Sequence, residues 1–299
     1  MNIAITGGSG VVGRRLIPLL VSRGHALRVL SRGGGANLPA GVRLSAWDPE
    51  QGEPSEDALR DTDAVVHLAG ENVAQRWTRD AKQRIRESRE IGTRRLVCAL
   101  ARLPKRPSGL VCASAIGYYG SRGDETLSES SAPGAGFLPE VCMAWEREAV
   151  AAEALGIRVV RVRIGILLDT SGGALQRMLP PFRLGVGGRL GDGRQWMSWI
   201  HRDDLAELFR LAVEKPIRGP LNAVAPNPLA NAGFTRELAR ALRRPAVFSA
   251  PKFALRWMFG EMSEVLLASQ RVAPNAASAA GFVFRFPHLG PALADLLGG

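Results

Sequence analysis

The first thirteen residues carry the pattern with the clearest chemical meaning. A short apolar run, Asn2–Ile5, reads as a buried strand, and Thr6-Gly7-Gly8-Ser9-Gly10-Val11-Val12-Gly13 leads from it into a helical run, Val11–Arg23. Glycines at these spacings permit a tight turn, let backbone N–H groups approach a pyrophosphate, and bring a helix close to a sheet. The helix start then faces the anion with unpaired N–H donors and its positive dipole end. The alternative is a glycine turn without a ligand. The pattern predicts a dinucleotide site that uses Gly7, Ser9, Gly10, Val11, Val12 and Gly13.

The end of the second apolar strand, Ala26–Leu30, indicates which dinucleotide this site takes. An NAD site of this type carries Asp or Glu roughly 20 residues beyond the glycines, where it accepts from the ribose 2′-hydroxyl. Ser31-Arg32 stands there instead. A guanidinium pairs with a 2′-phosphate through two hydrogen bonds, and the Ser31 hydroxyl adds a donor. The sequence therefore favours NADP(H) over NAD(H); the alternative is an Arg32 that points into solvent.

Two tyrosines are the first candidates for acid–base chemistry. Tyr118 and Tyr119 are the only tyrosines of the chain, and they follow an apolar strand, Leu110–Ser114. Ligands bind beyond the carboxyl ends of strands in open α/β sheets. A phenol at that edge can donate a proton to a substrate, although both rings can also serve packing alone.

Apolar strands alternate with helical runs over the first 170 residues. Such alternation implies right-handed crossovers and a parallel, doubly wound sheet of the α/β class with both faces covered. His67 lies within one of these strands and is expected to be a core histidine. The predicted strands are Asn2–Ile5, Ala26–Leu30, Ala64–Gly70, Leu110–Ser114 and Ile157–Leu168, and the predicted helices between them are Val11–Arg23, Arg79–Leu103 and Leu138–Leu155.

The residue pattern of the chain changes at Ser171. Glycine and proline are dense over residues 179–193 and 216–228, and helical runs remain at Arg202–Glu214 and Thr235–Leu242. We therefore predict a cofactor-binding domain over residues 1–170 and a smaller substrate-side lobe over residues 171–299, part of which can return to the main sheet.

The composition of the chain limits which kinds of partner and metal site are expected. The chain has 299 residues, is 46% hydrophobic and 22% charged, and carries a formal charge of +11. The basic residues are spread along the chain, so we expect no nucleic-acid partner. No run approaches the roughly 18 apolar residues of a membrane span, and the start lacks the basic region of a signal peptide, so no membrane partner is expected. Three cysteines without metal-ligand spacing indicate no metal site and fit a reducing cytoplasm. The oligomeric state stays open.

Several motifs together carry a resemblance to a known family. In order and spacing, they resemble the extended short-chain dehydrogenase/reductase superfamily. The combination is more narrowly similar to the atypical group called epimerase family proteins, and the tail at about 251–297 resembles the small C-terminal domain of that group. The motifs are Thr6–Gly13, Leu68-Ala69-Gly70, Gly70-Glu71-Asn72, Arg76-Trp77, Ser88-Arg89, Gly92-Thr93, Ser114–Gly120, Trp145-Glu146, Arg163-Ile164-Gly165, Trp199–Ala206 and Ser269-Gln270-Arg271-Val272.

The resemblance implies a Rossmann fold, a nicotinamide cofactor and a C-terminal substrate-side lobe. It adds cofactor contacts at the ends of three strands, namely Leu68, Ala69 and Gly70, then Ser114, then Arg163. It implies no particular substrate.

The chain departs from the superfamily at the catalytic pair. Typical members carry Tyr-x-x-x-Lys on the helix after the Ser114 strand, and the lysine lowers the pKa of the tyrosine. The same place here reads Cys142-Met143-Ala144-Trp145-Glu146, and a carboxylate there makes a neighbouring acid harder to ionise. The superfamily's catalytic Ser or Thr aligns with Ala115, one residue after Ser114. The candidate catalytic groups are therefore Tyr118, Tyr119, Ser114 and Cys142.

These observations favour an NADP(H)-binding oxidoreductase that acts on a small carbonyl or a sugar-nucleotide-like substrate. In that reaction a hydride passes from the cofactor, and one of the hydroxyls donates a proton. Two alternatives remain, a nucleotide-sugar epimerase and a non-catalytic NADP(H) sensor. The missing Tyr-x-x-x-Lys pair is the observation that supports the sensor.

Overall fold

The computed structural model describes residues 1–33 and 38–298. Within them, seven parallel strands form one sheet, and the other strands form four separate two-stranded pairs. The strands are β1 (Asn2–Thr6), β2 (Ala26–Ser31), β3 (Arg43–Ala46), β4 (Ala64–His67), β5 (Gly109–Ala115), β6 (Thr126–Leu127), β7 (Arg158–Ile164), β8 (Ile166–Leu168), β9 (Gly188–Leu190), β10 (Trp196–Met197), β11 (Trp199–His201), β12 (Gly219–Ala223), β13 (Leu229–Ala230), β14 (Phe248–Ala250) and β15 (Arg271–Val272).

Helices connect and cover these strands. Short 3-10 turns follow β5 at Ile116–Tyr119 and extend one helix at Ala151–Leu155. The α-helices are α1 (Val11–Ser22), α2 (Glu56–Leu59), α3 (Arg79–Arg102), α4 (Phe137–Val150), α5 (Gly173–Arg183), α6 (Arg202–Glu214), α7 (Asn231–Leu242), α8 (Lys252–Phe259), α9 (Ser263–Leu267), α10 (Asn275–Ala279) and α11 (Leu289–Leu297).

The main sheet has the order β12-β7-β5-β4-β1-β2-β3, and every pairing in it is parallel. Helix α1 packs on α6 and α3 packs on α4, so helices cover the sheet on both sides. The central strands are mostly apolar because neither face meets water, and their polar residues, such as Thr6, His67 and Ser114, lie near the carboxyl ends. The predicted α/β fold with a doubly wound, Rossmann-type sheet is confirmed. The strand order reverses between β1 and β4, where such sheets open a ligand crevice.

Some elements differ from the sequence prediction. The strand predicted over residues 157–168 is two strands, β7 and β8, and they lie in different sheets. Gly165 lies between the two strands. A Cβ there would lie 2.7 Å from the Ser198 carbonyl oxygen, so this junction leaves no room for a side chain. The helix predicted over residues 138–155 is α4 followed by the 3-10 turn, and α7 starts four residues before its predicted start at Thr235.

The chain beyond residue 170 serves both parts of the fold. Strand β12 pairs with β7 in the main sheet, while α5, α7 and α11 form a second apolar core. The C-terminal segment is joined to α6 by the Asp204 carboxylate, which accepts from the backbone N–H of Arg285 at 2.8 Å and of Phe286 at 3.0 Å. Among the described residues, no helix combines the length and apolar character needed to cross a bilayer.

Candidate functional site

The glycine turn between β1 and α1 is too tightly packed for side chains. Gly7 has φ +68°, and a Cβ there would lie 2.7 Å from the Ala69 nitrogen. At Gly13 a Cβ would lie 2.4 Å from the Gly8 carbonyl oxygen. Gly10 is different, because its nearest neighbour would be the Gly7 oxygen at 3.2 Å. Gly7 and Gly13 thus shape the turn, and Gly10 leaves its outer side free for a ligand.

The start of α1 has the donors that an anion needs. Gly10 is the N-cap in an extended conformation, it supplies no side-chain cap, and the first turn contains no acidic residue. The backbone N–H groups of Val11, Val12 and Gly13 consequently lack the carboxylate or hydroxyl partner that often covers a helix start. Together with the helix dipole, they fit a diphosphate.

The ends of β1, β2 and β4 surround a cavity of about 190 Å³ beside this turn. Ser31 and Arg32 line it, and the Arg32 side chain is 63% exposed, with the Glu50 carboxylate 3.8 Å away as its ion-pair partner. Trp47 also lines the cavity and was not predicted from the sequence. A larger groove, about 610 Å³, lies between α1, α6 and residues 281–285, but it contains no residue of the glycine turn.

His67 links β1, β4 and α3 beside the crevice through hydrogen bonds. The Thr6 hydroxyl accepts from the backbone N–H groups of Leu68 and Ala69 at 3.2 and 3.3 Å, so it donates to His67 Nδ1 at 2.7 Å. His67 Nε2 then donates to the Thr93 hydroxyl at 3.0 Å. Burial, and next the Arg89 charge, lower the pKa of His67 to about 4. His67 is thus a neutral core residue that fixes the strand ends against the glycine turn.

Glu146, which stands where the superfamily has lysine, forms a buried ion-pair cluster. It is 4% exposed and receives two hydrogen bonds of 2.8 Å from Arg163 Nε and Nη2. Arg161 adds a third at 3.3 Å, and the Ser114 hydroxyl donates to the same carboxylate at 2.7 Å. Burial opposes the charge on Arg163, but the Glu146 partner outweighs it and raises the pKa of Arg163. Ser114 is therefore engaged inside the protein.

The partners of Glu146 were not predicted from the sequence, although a signal for them exists. Arg158, Arg161 and Arg163 interrupt an otherwise apolar strand that is covered on both faces. A buried charge needs an opposite charge or hydrogen bonds, so arginines in such a strand call for an acidic residue on a neighbouring element. Glu146 on α4 is that residue.

The two tyrosines have different surroundings. Tyr119 is fully buried; its hydroxyl donates to Asn222 Oδ1 at 2.7 Å and accepts from Arg163 Nη1 at 2.9 Å. Burial raises the pKa of Tyr119 above its ordinary value. Tyr118 is half-buried, and the Arg163 guanidinium carbon lies 3.5 Å from the centre of its ring. Within residues 1–33 and 38–298, no protein group hydrogen-bonds the Tyr118 hydroxyl, so it remains available to a ligand.

Cys142 lies behind this loop on α4. Its side chain is 4% exposed, and a Cβ on Gly117 would lie 3.8 Å from its sulfur. Burial, and next the charge of Glu146, raise the pKa of the Cys142 thiol to about 12. The thiol is protonated near neutral pH and offers no thiolate for nucleophilic attack.

Comparison with known sequences identifies the family. Residues 3–224 match the profile of the NAD-dependent epimerase/dehydratase family. The chain belongs to this family. Residues 250–296 of this family member match a domain of unknown function, DUF1731. Epimerase family protein YfhF of Bacillus subtilis is 38% identical over 299 residues, which is 99% of this chain and 98% of that protein. The resemblance to epimerase family proteins is thereby confirmed.

Two solved structures of similar proteins share the fold of this epimerase/dehydratase family member. Human epimerase family protein SDR39U1 (isoform 2), crystallised with NADPH, has a TM-score of 0.88 and 34% identity, with 100% of each chain covered. The nucleoside-diphosphate sugar epimerase from Corynebacterium glutamicum has a TM-score of 0.80 and 38% identity; all of this chain and 58% of that chain are covered. The chain is thus an NAD(P)-dependent epimerase/dehydratase-family protein of the short-chain dehydrogenase/reductase type.

The burial of Tyr119 predicts a pH effect that needs no substrate. In a Tyr118→Phe variant the single remaining phenol is expected to ionise at a higher pH than free tyrosine, whose pKa is about 10. Since the unfolded chain ionises first, the stability contributed by Tyr119 is lost as the pH rises above about 10. Ultraviolet titration of phenolate absorbance measures this directly. Ionisation at the pH of free tyrosine would contradict the buried position between Arg163 and Asn222.

Proposed function

We propose that this chain is an NADP(H)-dependent oxidoreductase that reduces a small carbonyl or a sugar-nucleotide-like compound. The observation that carries the proposal is the free, half-buried hydroxyl of Tyr118 at the carboxyl end of β5, on the ligand side of the sheet. Ser114 and Tyr119 are bonded within the protein, and Cys142 is buried as a thiol. Tyr118 is thus the proton donor that the geometry favours.

The residues around the crevice support NADP(H) as the cofactor. The glycine turn and the start of α1 would hold the diphosphate, and Arg32 with Ser31 would hold the 2′-phosphate. No acidic residue stands at the end of β2 to accept from a 2′-hydroxyl. NADPH in the crystal structure of the human relative, at 34% identity, supports the same choice.

Side chains of the protein itself would donate the proton and hold the donor in position. NADPH bound in the crevice would supply a hydride for the carbonyl carbon, and the Tyr118 hydroxyl would give its proton to the carbonyl oxygen, so that an alcohol and NADP⁺ would form. The Arg163 guanidinium carbon lies 3.5 Å from the centre of the Tyr118 ring and would fix the orientation of that ring, while Glu146 holds Arg163 in place. Because Tyr118 is partly exposed, solvent can return the proton after each turnover.

A sensor without catalysis is the second candidate. It is favoured by the bonded state of Ser114 and Tyr119, which removes two hydroxyls that sequence comparison offered for chemistry. Epimerisation, the activity named for the C. glutamicum relative, would need oxidation and reduction of one sugar carbon with the same cofactor. Incubation with NADPH and a broad panel of carbonyls separates the candidates. NADPH consumption supports the oxidoreductase, whereas tight binding without any turnover favours the sensor.

Cofactor selectivity gives a prediction centred on Arg32. NADPH is expected to bind at least about tenfold tighter than NADH, and Arg32→Ala is expected to remove most of that gap, about 1.4 kcal/mol or more. Calorimetric titration with both cofactors measures it. Arg60→Ala is the matched control, since Arg60 is an exposed arginine that does not line the cavity. Equal affinities of the unmodified protein for NADPH and NADH would refute the selectivity.

A further inference from the structure

Arg89 on α3 is a partly buried cation without a carboxylate partner. Its guanidinium donates to the carbonyl oxygens of Ile85 at 3.1 Å and Glu71 at 2.9 Å, and lies 3.5 Å from the Ser88 hydroxyl. In the part of the chain that the structure describes, no carboxylate oxygen lies within 4.0 Å of it. Burial lowers the pKa of Arg89, yet a guanidinium keeps its proton in proteins. One positive charge therefore stands here uncompensated by direct pairing.

The position of Arg89 relative to the crevice indicates which half of a bound cofactor its charge would act on. A Cβ on Gly70 would lie 3.2 Å from the Arg89 guanidinium carbon, so the guanidinium lies directly against the chain that leaves β4. A dinucleotide lies across the point where the strand order reverses, with its two halves on opposite sides. Ser31 and Arg32 assign the adenosine half to the β2 side, which leaves the β4 and β5 side, and hence Arg89, to the nicotinamide half.

The other charges on this side do not cancel the Arg89 charge. Glu146 is paired with Arg163 and Arg161, and the Glu129 carboxylate adds a second negative charge close to Tyr119 in the same cluster. Glu71 is the acid whose charge acts on Arg89, but its carboxylate accepts from Gln75 Nε2 at 3.0 Å and makes no ion pair with Arg89. Arg161 and Arg163 thus have acids of their own, whereas the Arg89 guanidinium is not directly paired. An environment of this kind disfavours a further positive charge.

We propose that Arg89 makes the site distinguish the two redox states of its cofactor, so that NADPH binds more tightly than NADP⁺. The oxidised nicotinamide ring carries a positive charge and the reduced ring is neutral, so only NADP⁺ is repelled. The proposal rests on the proposed NADP(H) site. In a reductase this preference speeds release of the oxidised product, and in a sensor it makes occupancy follow the ratio of NADPH to NADP⁺.

Calorimetric titration with NADPH and NADP⁺ tests the proposal without any substrate. The unmodified protein is expected to bind NADPH about tenfold tighter, the order of magnitude for one unit charge about 12 Å away at an effective dielectric constant of about 20. Arg89→Gln is expected to bring the two affinities within about twofold, mainly by tightening NADP⁺, while Arg89→Lys keeps the preference. Arg86→Gln is the matched control, because Arg86 lies on the same helix but is paired with Glu140 at 3.0 Å.

Each outcome is decisive for one of the two proposals. Equal affinities for NADPH and NADP⁺ in the unmodified protein, or an unchanged ratio in a folded Arg89→Gln variant, overturn the role of Arg89. Binding of neither form refutes the proposed NADP(H) site itself. If Arg89→Gln does not fold, Glu71→Gln decides the matter, because it removes the carboxylate whose charge acts on Arg89 while keeping an acceptor for Gln75. That variant is expected to widen the gap between NADPH and NADP⁺, and an unchanged or smaller gap counts against the proposal.

Discussion

Replacement of Tyr118 by Phe is expected to lower NADPH-dependent turnover roughly 10²- to 10⁴-fold while NADPH binds as before. The change removes one hydroxyl and keeps the ring that packs against Arg163 and, edge-on, against Tyr119 at 5.3 Å. A loss confined to turnover is the signature of a group that acts only in the reacting state. The measurement is steady-state kinetics with a carbonyl found by screening, after cofactor titration of each variant.

Tyr119→Phe is the matched control for that experiment. Its hydroxyl lies between Asn222 and Arg163, so its removal is expected to destabilise the fold by leaving buried polar groups unpaired, about 1–3 kcal/mol. Turnover of the folded fraction should fall far less than in Tyr118→Phe. Cys142→Ser is also expected to have a small effect on turnover. Full turnover in both Phe variants together with an inactive Cys142→Ser would show that the proton donor is misassigned.

Gly10→Val is expected to abolish cofactor binding in a protein that still folds. The new Cβ would lie 3.2 Å from the Gly7 carbonyl oxygen, a contact that a small shift relieves, but the branched side chain would occupy the outer side of the turn. That is where the backbone must approach a diphosphate. Titration with NADPH, with circular dichroism to verify folding, measures the effect.

Gly52→Val provides the comparison for Gly10→Val, since a Cβ there meets nothing within 4 Å. It is expected to retain NADPH affinity. Gly13→Val is unsuitable, because its Cβ would lie 2.4 Å from the Gly8 oxygen and the turn itself would have to move. A folded Gly10→Val protein with undiminished NADPH affinity would mean that this turn does not hold the cofactor.

Local patterns were sufficient for the elements that a single stretch of sequence determines. Strand β1, the glycine turn and α1 are contiguous, and glycine is required at Gly13 by a contact within the turn and at Gly7 by its φ of +68°. The central strands were predicted because burial on both faces demands continuous apolar runs. Strand β12 was missed because Gly219-Pro220 reads as a turn, and its place in the sheet depends on β7, far away in sequence.

The chemistry of the site depends more on distant contacts than the fold does. The position of Glu146 was visible in the sequence, but its bonds to Ser114 and Arg163 join α4 to two different strands. Sequence spacing could not distinguish Tyr118 from Tyr119, because the difference lies in Asn222 on β12 and in Arg163 on β7. Likewise, the sequence alone could not show that Arg89 lacks a carboxylate partner, and the role proposed for Arg89 depends on that observation.

The hydrogen bonds from the backbone N–H groups of Arg285 and Phe286 to the Asp204 carboxylate affect which segments can be exchanged between related proteins. The profile of the C-terminal domain begins at residue 250, which invites its use as a cassette to be swapped between relatives. A crossover there would take the buried Asp204 carboxylate from one relative and the segment that carries its two backbone donors from another, so a shift of that segment would leave buried groups unsatisfied, each at a cost of about 1–3 kcal/mol. Recombination of C-terminal parts within this family should therefore transfer α6 and the C-terminal segment together, with the boundary placed before Arg202.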